Sequence, residues 1–136
     1  MSASPVIALR KAIRAALLAD AALVSALGGS KIFDEAPRTA EPPYATFAET
    51  QMRDWSADRS HGAEQFITLA VVSTQRGLSA ALGVAQQIVV LLDEAPLALE
   101  GHALIDLRFV SLETKRDDKG RFARVALRFR AATEYL

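Results

Sequence analysis

Residues 103–133 read ALIDLRFVSLETKRDDKGRFARVALRFRAAT, and alternation in this stretch decides the fold. Ile105, Leu107 and Phe109 share one side of an extended chain while Asp106 and Arg108 take the other. Val125, Leu127 and Phe129 likewise oppose Arg124, Arg128 and Arg130. The spacing predicts two strands, 103–113 and 121–133, each with one apolar and one charged side. They are joined by a charged tip made of Lys115, Arg116, Asp117, Asp118, Lys119 and Gly120. A long antiparallel ribbon with such a tip reaches beyond the core it grows from, a form suited to touching another protein rather than to chemistry.

Upstream of the ribbon, Leu78, Leu82, Ala85, Val89 and Leu92 step by four and three residues onto one stripe, which predicts a helix over 78–94 ended by Pro96. Before it, 64–74 carries Phe66, Ala70 and Val72 on one side and Ile67, Leu69 and Val71 on the other. Apolar residues on both sides predict a central strand covered on both faces. A further strand is expected over 44–49. The polar, breaker-rich run 52–62 reads as the loop between these two strands, and the proline-bearing run 30–43 as an extended connector with a short strand at 31–33. At the start, Ser4 followed by Pro5 is a helix-start signal, with Val6, Leu9, Ile13, Ala16 and Leu17 forming the apolar stripe. Asp20 caps a second short helix over 21–27 that Gly28 and Gly29 end. The sum is an α+β fold: an antiparallel β-sheet flanked by helices, with a long C-terminal β-hairpin, expected as one domain over residues 1–136.

The composition narrows function. At 51% hydrophobic and 24% charged residues the chain is globular in character, and 136 residues suffice for one core. Sixteen basic and sixteen acidic residues cancel, which removes the broad positive field that nucleic-acid binders use, so any DNA contact would be local. The absence of cysteine excludes disulfides, a thiolate nucleophile and cysteine metal sites, and suits a reducing cytoplasm. No secretory signal or membrane span is expected.

Nothing in the chain has catalytic spacing. His61 and His102 lack metal-ligand spacing and read as surface or turn histidines. Asp93 with Glu94, and Asp117 with Asp118, are neighbouring carboxylates that point apart and read as solvated charge. Ser73, Ser79 and Ser111 sit in no nucleophile elbow. Catalytic, cofactor and metal residues are therefore expected to be absent, and the candidates that remain are contact residues. Arg53, Asp54 and Trp55 form one set, in which Trp55 either folds back on its own sheet or anchors a partner. Lys115, Arg116, Asp117, Asp118 and Lys119 form the second, with alternating charges able to fix a docking register. Arg124, Arg128 and Arg130 form the third, a basic row that is a solvated sheet face, a source of subunit salt bridges or a channel lining.

The order of pieces, LADAALVSALGGSKIFDEAP, PPYATFAE, RDWSAD, GAEQFITLAVVSTQRGLSAALGVAQQIVVLL, DEAPLALEGHALIDLRFVS and GRFARVALRFRA, resembles the tail-completion, or tail-terminator, family of long-tailed bacteriophages, prophages and phage-like gene transfer agents. The resemblance runs from about Ala8 to Glu134 and rests on the ordered set, since no single piece is a catalytic signature. It implies a non-enzymatic virion protein without cofactors. Such a protein forms a hexameric ring at the head-proximal end of the tail, caps the major tail tube protein, presents a docking face to the neck or head-tail connector, and lets DNA pass without sequence-specific binding. The expected location is the neck region of a particle assembled in a bacterial cytoplasm. A neck or head-completion protein one layer higher is the alternative within the same class. A small nucleic-acid-binding domain, and after it an enzyme, are the competitors from other classes.

Overall fold

The computed structural model describes residues 4–56, 61–116 and 121–136. Helix α1, Pro5–Leu18, starts where Ser4 and Pro5 dictate: the Ser4 hydroxyl accepts from the Ile7 N–H at 3.3 Å. Its Leu9, Ile13 and Leu17 are fully buried. Asp20 accepts from the Leu23 N–H at 3.0 Å to cap α2, Ala21–Leu27. That helix ends on Gly28 at φ 78°, a left-handed turn where a Cβ would be strained.

The strands are β1, Ile32–Phe33; β2, Tyr44–Asp54; β3, Gly62–Thr74; β4, His102–Arg116; and β5, Phe122–Tyr135, with α3, Leu78–Leu92, between β3 and β4. They make one five-stranded sheet in the order β1-β2-β3-β5-β4, antiparallel throughout except for the parallel β1–β2 pair. The α+β reading and the C-terminal hairpin hold. Strand β3 is central, as its doubly apolar pattern required.

Five local readings change. Met52, Arg53 and Asp54 belong to β2 rather than to a loop, because they pair with Gln65, Glu64 and Ala63 of β3. The covering of β3 is one-sided. Ile67, Leu69 and Val71 join the single core cluster with the three helices, together with Val125, Leu127, Phe129 and Ala131 of β5. The opposite face holds Phe66, Thr68 and Val72, which are only half-buried, beside the small Ala70, which is enclosed. In β4, Ile105 leaves the apolar face: the register slips between Leu104 and Asp106, so Ile105 is an unpaired bulge residue, 54% exposed. The buried side of α3 is Ala81, Val84, Ala85, Ile88 and Leu92, rotated from the expected stripe. The helix has no charged residue anywhere, so periodicity had no polar side from which to orient it. Finally, the C-terminal ribbon is not a free arm, since β5 pairs with β3 from Gly62↔Glu134 to Thr74↔Phe122.

Candidate functional site

The sheet has one face under helices and one open face, and the contact candidates fall on the open face and its two ends. At one end, Arg53 of β2 and Glu64 of β3 are cross-strand partners, and Arg130 of β5 reaches the same carboxylate. Arg130 Nε donates to Glu64 Oε2 at 2.6 Å, and Arg53 Nη1 stands 3.8 Å from Glu64 Oε1. The row continues through Asp106 Oδ2, 3.9 Å from Arg130 Nη1. It then runs to Arg108, whose Nε donates to Asp106 Oδ1 at 3.1 Å and whose Nη1 reaches Glu94 Oε1 at 3.0 Å. Charges of alternating sign thus cross four strands. Glu64 and Arg130 are mostly shielded, with side-chain exposures of 21% and 31%, so this pair is screened less than a surface pair.

Trp55 follows β2 directly, is 53% exposed, and lies under the Arg130 guanidinium at 5.9 Å from its ring centroid. It therefore does not pack into the core, and the cation above it holds one ring face while the rest stays exposed. Asp54 accepts from the Ser56 hydroxyl at 2.7 Å, just past the end of β2.

At the other end, the open face forms a groove of about 450 Å³ lined by Glu49, Phe66, Glu113, Lys115, Arg124 and Arg128, among others. Arg128 stacks its guanidinium 4.4 Å above the Phe66 ring, so its stem and head are held flat on the sheet. Lys115 and Arg116 are the last residues of β4, both exposed, with Lys115 directly opposite Arg124. Asp117, Asp118 and Lys119 lie outside the described residues. The basic row thus divides. Arg130 is committed to an intrachain carboxylate, Arg128 to an aromatic ring, and Arg124 lines the groove beside Glu49 and Glu113. Two carboxylates among three cations make this face mixed rather than phosphate-seeking.

The structure places other residues differently from the sequence reading. His102 is buried at 2% exposure, with its ring 4.7 Å from that of Tyr135, not at the surface. Asp93 and Glu94 are clamps rather than free charge: Asp93 Oδ1 accepts from the Phe109 N–H at 2.9 Å, and the Glu94 N–H donates to Leu107 O at 2.8 Å. The sequence reading missed Glu64 and Phe66, whose roles follow from register, and the outward stripe of α3. Ser79, Ala80, Gly83, Gln86 and Val90 are exposed there, and with no charged residue in the helix nothing in the sequence marked that side. Among the described residues, no group of three or more His, Asp or Glu is placed to hold a metal ion, and no helix is long and apolar enough to cross a membrane.

The family model described as tail completion protein gp17 matches residues 11–134. Among solved structures, a chain from the virion of a native gene transfer agent (GTA) particle is 28% identical to this one. It superposes with a TM-score of 0.88 over 98% of this chain and 99% of that one. No curated protein sequence matches.

Proposed function

Because the chain belongs to the tail completion protein gp17 family, and so to the structural proteins of tailed particles, we propose that it is a tail terminator. It forms a hexameric ring that caps the tail tube at its head-proximal end and offers the neck a docking face. The whole chain acts as one domain in that ring, and DNA passes through without sequence-specific contact. The observation that carries this reading is the match to a gene transfer agent virion chain over 98% of this chain and 99% of that one.

The mechanism is steric. One surface of the ring imitates the next layer of the tube closely enough to bind, while offering no site to a further tube subunit. A ring of copies in one orientation meets head-to-tail, so two different faces of each copy have to be complementary. The contact candidates suit this division. Arg53, Asp54 and Trp55 occupy one end of the sheet, and Lys115, Arg116, Arg124 and Arg128 the other, with Asp117, Asp118 and Lys119 continuing the tip in sequence. Arg130 acts differently, holding the first end in shape through Glu64. No bond is made or broken.

Size-exclusion chromatography with light scattering, on the protein alone and mixed with its cognate tube subunit, tests the reading. The expected result is a ring bound at tube ends and an arrest of tube growth. A protein that stays monomeric and leaves tube growth unchanged would refute it. Pull-down of the connector in preference to the tube would move the protein one layer higher, to the neck.

A further inference from the structure

Both lateral edges of the sheet are half free, and the free halves are complementary. On β2, strand β1 takes up the outer edge only at Ala45 and Thr46. From Gln51 to Asp54 every residue is exposed, and among the described residues no backbone hydrogen bond reaches that outer side. On β4 the inner half is already taken, because the segment after α3 bonds Leu107 O and the Phe109 N–H. Beyond the second register slip, between Phe109 and Ser111, the edge runs on with every residue from Val110 to Arg116 exposed. Val110 and Leu112 are 46% and 38% exposed, and Met52 on the other edge is 46% exposed. Natural sheets blunt edges of this kind unless something pairs with them.

We propose that the second half of β4, residues 110–116, adds as an antiparallel strand to residues 49–54 of β2 in the next copy of this chain; the proposal rests on the ring reading above. Strand direction fits. Within the sheet β2 and β5 run one way and β3 and β4 the other, so in copies of one orientation β4 meets the neighbour's β2 antiparallel. Register fits as well. On the helix-side face of the sheet lie Leu112 and Thr114 of β4, opposite Leu127 and Val125, and Thr50 and Met52 of β2, opposite Ile67 and Gln65. Placing Leu112 against Met52 keeps those faces aligned. It sets Thr114 against Thr50 and Lys115 against Glu49, so that apolar meets apolar, a β-branched residue meets its like, and a cation meets an anion. Arg116 then arrives beside Glu35, which is exposed just past the end of β1.

The stagger is also compatible with closure into a ring. In its own sheet Leu112 is level with Phe47, through Leu127 and Leu69, whereas Met52 is level with Gln65, four residues further along β3. Four residues amount to about 13 Å of strand, and four strands per copy to about 19 Å across. The ratio corresponds to strands tilted by about 35°, within the range at which sheets close on themselves.

The chain has no cysteine, so introduced pairs report cleanly. The double variant Met52→Cys with Leu112→Cys, oxidised after assembly on tube subunits, should give a ladder of covalent oligomers on a non-reducing gel. Neither single variant should cross-link. Leu112→Cys with Asp54→Cys, the pairing slipped by two residues, should not cross-link either. A ring seen by light scattering without the expected ladder, cross-linking by a single variant, or cross-linking of the slipped pair each overturns this seam. Failure of the wild-type chain to form any ring refutes the reading on which the seam rests, and the seam with it. Circular dichroism on each variant separates a lost contact from a lost fold.

Discussion

The two faces of this sheet are drawn from the same strands, residue by residue in alternation, yet they are built to different ends. On the helix side, Leu69, Val71, Val125, Leu127 and Phe129 are fully enclosed, and their position is determined by what the chain itself supplies. On the open side, Phe66, Arg128, Glu64 and Arg130 hold one another flat by stacking and ion pairing and leave a surface finished only in part. The difference separates the packing that the fold completes by itself from a surface left to solvent. Phe129→Ala should break the helix side, costing about 3–5 kcal/mol through lost transfer and an unfilled cavity. Phe66→Ala should cost only about 1 kcal/mol, because its ring already borders water. Urea unfolding with an unchanged m-value is the measurement, and equal costs for the two substitutions would erase the distinction.

The comparison sharpens at the Glu64–Arg130 pair, which lies on the open side but behaves partly like the interior. At 2.6 Å, with both side chains two-thirds or more shielded, its coupling should exceed the few tenths of a kcal/mol typical of surface pairs. A double-mutant cycle of Glu64→Gln and Arg130→Met is expected to give about 1 kcal/mol. Because Trp55 lies under the same guanidinium, Arg130→Met should also shift Trp55 fluorescence without unfolding the protein. Zero coupling together with an unmoved emission maximum would mean that the charge row is incidental to the shape of that end.

Legibility followed the same division. Helix starts were readable because Ser4, Pro5 and Asp20 each act within three residues of where they stand. The strand faces of β5 were readable because Val125, Leu127 and Phe129 alternate without interruption. Bulges were not, since Ile105 and Val110 look like ordinary strand residues until the partner strand's register is known. The strand character of Met52, Arg53 and Asp54 was hidden by the charges of Arg53 and Asp54, which are what an edge strand facing solvent needs. The grouping of the candidate contact residues was not legible either. Sequence showed three arginines on one face of β5, whereas only their neighbours on β3, Glu64 and Phe66, separate Arg130 and Arg128 from Arg124.

The smallest effect on folding is expected where the effect on assembly is largest. Arg124 lines the groove beside Glu49, Glu113 and Lys115, and in the proposed ring it is one of the cations offered to a partner. Arg124→Met keeps the aliphatic stem against the sheet and removes only the charge, so unfolding stability should stay within about 0.5 kcal/mol of the parent. Capping of tubes should nevertheless fall several-fold, and the deficit should narrow as salt rises, because screening weakens the parent's charged contact while the variant has none to lose. A stability loss well above 1 kcal/mol with capping intact would show that Arg124 belongs to the fold. The open face would then be a second structural layer rather than a surface awaiting its partner.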